Sequence, residues 1–321
     1  MSFLTNKKIL LTGGAGFVGQ YVNKAIKEKL PTSPRLRGAR KSKKIFVPRS
    51  KEFDLREMRN CLKVTKNIDI VIHLAGAVGG IGYNRENPGT LFYDNITMGV
   101  NLIEASRINK VKKFVCIGTI CAYPKFTPIP FKEKNLWNGY PEETNAPYGL
   151  AKKALLVMLQ AYRQQYNFNG IYLLPVNMYG PGDNFNPKSS HVIAALIKKI
   201  SDAKKNHKKE IVVWGDGRAS REFFYVEDAA EAIVLAAEKY NQPDPVNIGA
   251  GFEITIKNLV NKLVKLMDFK GKIIWDKTKP NGQPRRCLDV SKAKKEFGFV
   301  AKTDFDEGLK KTVEWYESNS S

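Results

Sequence analysis

Cysteine and histidine are scarce in this sequence, with four and three copies among 321 residues. The cysteines are scattered, and neither a C-x-x-C pair nor a histidine at metal-binding spacing accompanies them: Cys61, Cys116, Cys121 and Cys287. Structural zinc sites and disulfide frameworks need such spacing. The sequence therefore predicts no metal site, and free thiols in a reducing compartment.

Long apolar runs are also missing, since none approaches the roughly 20 residues that a helix needs to cross a bilayer. The opening stretch, MSFLTNKKILLTGG, has a short apolar run, no small-residue cleavage site and a glycine motif directly after it. A secretory signal peptide is built differently. We therefore expect a cytoplasmic protein that does not bind membranes.

Acidic residues are few, 31 against 53 basic ones, which gives a net charge of +22. A positive field of this size attracts anionic ligands and nucleic acid. The lysines are spread along the chain, however, and no nucleic-acid-binding motif accompanies them. Nucleic acid is thus not the expected partner, whereas an anionic small molecule is compatible with the charge.

The first half of the chain alternates short β-rich runs with helical patterns. The predicted strands lie at 7–14, 43–50, 68–76, 113–119 and 170–180, and the predicted helices at 17–30, 87–110 and 148–167. Such alternation predicts an α/β fold, a Rossmann-type doubly wound parallel sheet. Between the first helix and second strand, the basic segment 31–44 is expected to be an exposed loop.

The second half has a looser pattern and predicts a smaller C-terminal α/β lobe that binds the substrate. Helices are predicted at 190–205, 227–240 and 255–267, and strands at 210–217 and 272–276. We expect a dinucleotide-binding domain from 1–176 with a return segment at about 222–249. The substrate lobe would comprise about 177–221 and 250–321. The cleft between two lobes is where ligands usually bind.

A glycine loop, LLTGGAGFVG, follows the first predicted strand and opens the first helix. Its G-x-x-G-x-x-G spacing places glycines where the backbone can approach a dinucleotide pyrophosphate at a helix N-terminus. We predict that five of its residues bind the cofactor: Gly13, Gly16, Phe17, Val18 and Gly19.

The end of the second strand, VPRS, carries Arg49 and no acid. NAD-preferring folds often place a carboxylate here for the ribose 2′-hydroxyl. A guanidinium instead suits a 2′-phosphate. The sequence therefore favours NADP(H) over NAD(H), although a solvated Arg49 is the alternative. Asp54 and Leu55 are predicted to bracket the adenine.

The motif YGLAK places Tyr148 and Lys152 four residues apart, on one face of a helix. A neighbouring ammonium is expected to lower the pKa of a tyrosine from its usual value near 10. Tyr148 is then a candidate general acid/base, Lys152 a candidate ligand of the nicotinamide ribose, and Thr119 a candidate donor to the same substrate oxygen. Chance Y-x-x-x-K matches are common, but the order with the glycine loop is more specific.

The order of these motifs resembles the extended short-chain dehydrogenase/reductase superfamily. VIHLAG, ending at Ala75 and Gly76, is similar to its loop after the fourth strand, where the backbone lies against the cofactor. Asn95 in YDNITMG matches a helix position that supports the active site, and the resemblance also implies cofactor contacts at Asn95, Tyr148, Pro175 and Asn177. Two helices per subunit form a four-helix homodimer interface in this superfamily, which the apolar stretches LFYDNITMGVNLI and ALLVMLQAY suit.

Within that superfamily, nearly the whole chain resembles the GDP-L-fucose synthase family, which acts as GDP-4-keto-6-deoxymannose 3,5-epimerase and 4-reductase. The resemblance is carried by AVGGIGYN, GTICAYPK, YGLAK, NMYGPGDNFNPKSSHVIAALI, VVWGDGRASREFFYVED and KPNGQPRRCLDVSK. It implies that Cys121 and His191 transfer protons at the epimerised carbons. The rival interpretations are a small buried thiol for Cys121 and a helix-capping or solvated histidine for His191.

The same resemblance implies a binding site for the substrate's sugar and diphosphate. The residues that match are Asn177, Asn184, His191, Lys199, Trp214, Arg221 and Arg285. Where the family usually carries two serines, this chain has Thr119 and Ile120, so a related 4-keto hexose or heptose nucleotide is an alternative substrate. The sequence is also compatible with an epimerase-only or reductase-only enzyme, an NAD-dependent sugar-nucleotide 4-epimerase, and a non-catalytic binding protein.

Overall fold

A computed structural model describes residues 4, 6–29, 45–279 and 282–320. Its central element is a six-stranded sheet in the order β2-β1-β3-β4-β5-β10, and every neighbouring pair is parallel. The predicted Rossmann-type sheet is confirmed. The strand order reverses direction between β1 and β3, which is where ligands bind in sheets of this kind.

The strands of this sheet are β1 Ile9–Thr12, β2 Ile45–Phe46, β3 Ile70–His73, β4 Lys113–Ile117, β5 Gly170–Pro175 and β10 Val246–Ile248. Three further two-stranded pairs lie outside it, β6 with β9, β7 with β12, and β8 with β11. Their bounds are β6 Asn177–Tyr179, β7 Glu210–Trp214, β8 Ser220–Arg221, β9 Phe223–Tyr225, β11 Ile254–Thr255 and β12 Lys272–Asp276.

The helices are α1 Phe17–Lys29, α2 Met58–Thr65, α3 Ile81–Glu86, α4 Pro88–Ile108, α5 Ala146–Tyr166, α6 Val192–Lys205, α7 Val226–Lys239, α8 Ile256–Leu266, α9 Ser291–Phe297 and α10 Phe305–Asn319. The long helices α4 and α5 both carry proline in their first turn, a position where the missing N–H costs nothing. None of the helices in the described ranges is long and apolar enough to span a membrane.

The buried apolar side chains form two clusters, one for each predicted lobe. The first lies around the six-stranded sheet, and the second around α6, α8, α10 and β7. The return segment contributes α7, which packs on α1, and β10, which pairs with β5. Leu288, Ala293 and Phe299 pack in the first cluster although the predicted boundary places them in the second lobe. The domain boundaries therefore stay a prediction.

The strongly periodic segments are all found as predicted, but four shorter or later helices are not anticipated by the sequence pattern: α2, α3, α9 and α10. Three of them, α2, α3 and α9, have only six to eight residues, too few to give a clear period, so tertiary packing decides them. The predicted exposed loop at 31–44 lies outside the described residues.

Candidate active site

The glycine loop joins β1 to α1 at the point where the strand order reverses. Gly13 has φ of +70°, a backbone conformation that favours glycine, and a Cβ there would lie 2.7 Å from the backbone N of Ala75. A Cβ on Gly19 would overlap the backbone of Gly13 and Gly14. These contacts explain why two of the three motif glycines have no side chain, and the loop and the first turn of α1 line the cleft.

Two buried polar side chains, which the sequence analysis did not single out, hold this loop to the next strand. The Thr12 Oγ1 and His73 Nδ1 atoms lie 2.8 Å apart, and the Ala75 N–H donates to Thr12 Oγ1 at 3.4 Å. Burial lowers the pKa of His73 to about 3, so its ring is neutral. The pair therefore ties the carboxyl ends of β1 and β3 together without placing a charge there.

Asn95 and Lys152 both lie close to Gly76. Asn95 Nδ2 donates to the carbonyls of Ala77 at 2.8 Å and Leu91 at 2.7 Å. A Cβ on Gly76 would lie 2.9 Å from Asn95 Oδ1 and 3.5 Å from Lys152 Nζ. Asn95 does not line the cleft itself, because its amide is turned to the Ala77 and Leu91 carbonyls. This position does not fit the predicted cofactor contact at Asn95, and its supporting role stays a prediction.

Arg49, Asp54 and Leu55, which are predicted to lie near the adenosine, all line the cleft. Arg49 is exposed at the rim, in the loop that follows β2. Asp54 is held by Arg56, whose Nε and Nη2 atoms both donate to its carboxylate and keep its pKa below the usual range. Arg49 is therefore the cation that faces the cleft, and Asp54 has a protein partner.

Thr119 and Tyr148 meet because α5 packs tightly on the turn after β4. A Cβ on Gly149 would overlap the Cys121 carbonyl, so glycine is required for this approach. The Tyr148 and Thr119 side chains lie close together, and the Tyr172 hydroxyl fixes the helix by donating to the Lys152 carbonyl at 2.8 Å. The three predicted residues are thus together in the cleft.

The predicted effect of Lys152 on Tyr148 is wrong in this structure. Burial raises the pKa of Tyr148, and burial lowers the pKa of Lys152. The reason is geometric, because the Lys152 amine lies beside Gly76 and close to Cys116. A protonated Tyr148 phenol is suited to give a proton to a ketone oxygen.

Cys121 lies half-buried in a short 3₁₀ turn, Ile120–Ala122, at the end of β4. The Thr119 hydroxyl accepts from the Cys121 N–H at 3.1 Å, which caps the turn. Two largely buried arginines approach this thiol: Arg286 Nη1 lies 3.6 Å from its Sγ, and Arg221 is close to both. The other three cysteines are buried and free, so only Cys121 faces the cleft.

His191 stands at the N-terminal end of α6 and lines the same cleft. It is the N-cap residue, but its side chain makes no capping hydrogen bond, which removes one rival interpretation. Burial lowers its pKa from the usual 6.5, so the imidazole is neutral at pH 7 and able to accept a proton.

Most predicted substrate residues line the far end of the cleft, with one exception. Lys199, Trp214, Arg221, Asn177 and Asn184 line it. Arg285 does not, because its guanidinium points outward to the Glu253 carboxylate. Arg286, the next residue in the chain, lines the cavity instead of Arg285. A basic dipeptide alone does not reveal which of its two side chains turns inward.

The cleft is one continuous cavity of about 1580 Å³, which runs from the glycine loop past Tyr148 to Trp214. Typical pockets for a single small ligand have about 300–1,000 Å³. The volume therefore allows a dinucleotide and a second extended ligand at once. The predicted cofactor residues that line it are Gly13, Gly16, Phe17, Val18, Gly19, Ala75, Gly76, Pro175 and Asn177.

These features define a class: a dinucleotide-binding α/β enzyme with a Thr-Tyr-Lys group of the short-chain dehydrogenase/reductase type. The family model for the NAD dependent epimerase/dehydratase family matches residues 9–249. The chain belongs to this family.

Three proteins that are similar to this chain are GDP-sugar enzymes. GDP-L-fucose synthase 1 of Arabidopsis thaliana is 35% identical over 97% of this chain and 94% of its own length. A solved GDP-6-OMe-4-keto-L-xylo-heptose reductase from C. jejuni superimposes with a TM-score of 0.88, at 25% identity, covering 99% of each chain. A GDP-L-fucose synthetase from Naegleria fowleri, solved with NADP, gives 0.86 at 25% identity, covering 100% of this chain and 97% of its own. The resemblance seen in the sequence is confirmed.

Proposed function

We propose that this protein is an NADPH-dependent epimerase/reductase that acts on a GDP-4-keto-6-deoxy sugar. The observation that carries the proposal is that one cavity brings together Thr119, Tyr148 and Lys152 with Cys121 and His191. The relatives named above, a GDP-L-fucose synthase and an NADP-bound synthetase, support the nucleotide and the cofactor.

The first proposed step is proton exchange beside the ketone. The carbons that flank a carbonyl carry acidic protons, and inversion needs a base on one face and an acid on the other. Cys121, in the turn after β4, and His191, at the start of α6, both line the cavity. One side chain is proposed to remove the proton and the other to return one to the opposite face. Thr119 and Tyr148 stabilise the enolate oxygen by hydrogen bonds. The net change is an isomerisation.

The second proposed step is reduction of the same ketone. NADPH, when bound, would supply the hydride, and Tyr148 would give its proton to the oxygen that becomes a hydroxyl. Lys152 would hold the nicotinamide ribose, while the glycine loop and the N-terminus of α1 would hold the pyrophosphate. Lys199 and Arg221 are proposed to bind the sugar nucleotide's diphosphate, and Trp214 the base.

The test is incubation with GDP-4-keto-6-deoxymannose and NADPH in deuterated water. The proposal expects deuterium at carbons 3 and 5 together with stoichiometric loss of NADPH absorbance. Deuterium without NADPH loss identifies an epimerase only, and NADPH loss without deuterium a reductase only. Absence of both would refute the proposal and would favour a 4-epimerase, which returns its cofactor to the starting state.

A second candidate substrate is a GDP-4-keto heptose. It is favoured by the superposition on a heptose reductase and by the apolar Ile120, which lines the cavity beside Thr119. The same experiment with a GDP-4-keto heptose decides between the two, because the higher kcat/KM identifies the substrate.

Arg49 is proposed to select NADP by pairing with the 2′-phosphate. Replacing Arg49 by alanine should weaken NADP binding roughly 10- to 100-fold, as expected for loss of one charge-assisted hydrogen bond, and leave NAD binding almost unchanged. Calorimetric titration with both nucleotides measures this, and Lys51→Ala, an exposed cation outside the cavity, is the control. Equal losses for NADP and NAD would contradict the assignment.

The chain is also proposed to form a homodimer through α4 and α5. These helices pack on one another, with Gly99 against Leu155, and leave Phe92, Tyr93 and Val157 between 41% and 60% exposed. Large apolar side chains on one long-helix surface are typical of an interface.

Val157→Glu should therefore raise the dimer dissociation constant at least about 10-fold, because it buries a charge without a partner. Sedimentation equilibrium measures the mass, which for the monomer is 36.2 kDa. Val300→Glu is the matched control, since Val300 is 51% exposed and lies on neither helix. A wild-type chain that sediments as a monomer would rule out the interface.

A cytoplasmic location stays a prediction.

A further inference from the structure

The stretch AVGGIGYN carries part of the family resemblance, but none of its residues is among the predicted substrate contacts. In the structure its last residues form α3, and the turn before it packs on the segment that leads into His191. The Gly80 N–H donates to the Ser189 carbonyl at 3.1 Å, and a Cβ on Gly80 would lie 2.5 Å from the Ser190 carbonyl oxygen. The Trp214 ring approaches Gly82 from the other lobe. This stretch therefore lines the substrate half of the cavity.

Asn84, in α3, is joined to the catalytic helix by a directed chain of hydrogen bonds. Its Nδ2 donates to Asn145 Oδ1 at 2.9 Å, and Asn145 Nδ2 donates to the Glu142 carboxylate. A carboxylate only accepts, so it fixes the orientation of Asn145, which in turn fixes that of Asn84. Asn145 is the N-cap residue of α5, two turns before Lys152.

This series of hydrogen bonds ends at the Asn84 Oδ1 atom, an acceptor for which the described residues provide no donor. Asn84 is 4% exposed and lines the cavity, yet among the described residues no group donates to its Oδ1 atom. A buried amide oxygen without a donor is costly, so native structures satisfy nearly all of them. Because Asn84 lines the cavity, a ligand bound there is an available source of that donor.

We propose that Asn84 Oδ1 accepts a hydrogen bond from a ring hydroxyl of the substrate sugar, and that Asn84 is a specificity-determining residue. An amide oxygen cannot bind a phosphate, a carboxylate or the 4-keto oxygen, because all of these are acceptors. A sugar hydroxyl is the donor that the proposed substrate brings to this half of the cavity. The inference rests on the proposed function and deepens it.

The test compares three substrates: GDP-4-keto-6-deoxymannose and its analogues that lack the hydroxyl at carbon 2 or at carbon 3. The wild-type protein should prefer the parent over one of the analogues roughly 10- to 100-fold in kcat/KM, because a site built for a hydroxyl rejects its absence. Asn84→Ala should lower the kcat/KM ratio of the parent to that analogue to about 2-fold and leave the ratio for the other analogue unchanged. Asn84→Ser serves the same purpose if the alanine variant does not fold.

The control is Asn87→Ala, at the end of α3, whose side chain donates to the Tyr83 carbonyl and does not line the cavity. It should leave both ratios as in the wild type. If Asn84→Ala lowers kcat/KM equally for all three substrates, Asn84 is only structural and the inference is overturned. If the wild-type protein does not turn over the parent substrate, the proposed function fails, and this result is distinct from a failure of the Asn84 inference. In that case the preference for each hydroxyl is measured by calorimetry, as the ratio of the Kd values of GDP-mannose and each of its two deoxy analogues.

Discussion

Replacing Tyr148 by phenylalanine is expected to lower kcat for ketone reduction by about 10²- to 10⁴-fold, the usual contribution of a positioned general acid. The side chain sits in the cavity beside Thr119, and burial raises its pKa. The phenol is therefore fully protonated at neutral pH and can serve as the proton donor. Removing only its oxygen deletes that donor and keeps the ring's packing.

Single-turnover decay of NADPH absorbance measures this loss, and the NADPH dissociation constant should change less than about 3-fold, since the packing is retained. Deuterium exchange beside the ketone should persist in the variant at a lower rate, because Cys121 and His191 remain while only Thr119 still stabilises the enolate oxygen. The matched control is Tyr166→Phe, a partly exposed tyrosine at the end of α5 and outside the cavity. A Tyr148→Phe protein with wild-type reduction would refute the assignment of the proton donor.

The pKa of Tyr148 also sets a pH dependence. A proton donor is lost as the pH rises through its pKa, and this pKa is raised above the ordinary value near 10. The rate of reduction should therefore show no decrease due to Tyr148 below about pH 10. A phenol acidified by Lys152, as the sequence alone suggested, would give a decrease at lower pH.

The second large effect is expected at Cys121 and His191. Cys121→Ser and His191→Asn should each lower solvent-deuterium incorporation at carbons 3 and 5 by about 10²- to 10⁴-fold. The serine hydroxyl is a far weaker acid than a thiol, and the asparagine amide does not titrate, so neither can exchange protons near neutrality. Mass spectrometry of the recovered sugar nucleotide measures the incorporation.

Reduction of a substrate that is already epimerised should continue in both variants, because Thr119, Tyr148 and Lys152 are unchanged. His207→Asn is the control for the histidine, since His207 is exposed and its φ of 51° is readily adopted by asparagine. Undiminished exchange in both the cysteine and the histidine variants would remove the epimerase activity from the proposal.

His191 adds a pH prediction of its own. A base accepts protons only above its pKa, and burial lowers this pKa below 6.5. If His191 is the base, exchange should stay at its plateau as the pH falls to 6.5 and should decline only in more acidic solution. A decline centred above pH 6.5 would contradict that role.

Much of the binding half of the site could be predicted because it is local in sequence. The glycine loop, the strand before it and the helix after it form one continuous stretch, and the spacing of Tyr148 and Lys152 fixes a shared helix face. Their electrostatics could not be predicted in the same way. The Lys152 amine turns toward Gly76, and burial then raises the pKa of Tyr148 where spacing alone predicted a decrease.

The sequence also could not predict which of two neighbouring arginines faces the cavity. Arg285 and Arg286 have the same chemistry, but Glu253 holds the first outside while the second reaches Cys121. The backbone of the segment decides this, since the Glu222 N–H donates to the Arg286 carbonyl and the buried Glu222 carboxylate accepts from the Leu288 N–H. Such contacts join residues that are more than 60 positions apart.

The sequence by itself determined the parallel α/β sheet, the glycine loop and the Tyr148–Lys152 pair, because periodicity and i,i+4 spacing act within a few turns of chain. Only the tertiary structure decided that Cys121 and His191 share a cavity, that Arg286 faces it, and that Asn84 ends a hydrogen-bond chain there. Those arrangements depend on how the two apolar cores pack and on which buried polar atoms find partners. Neither property is encoded in any short stretch of residues.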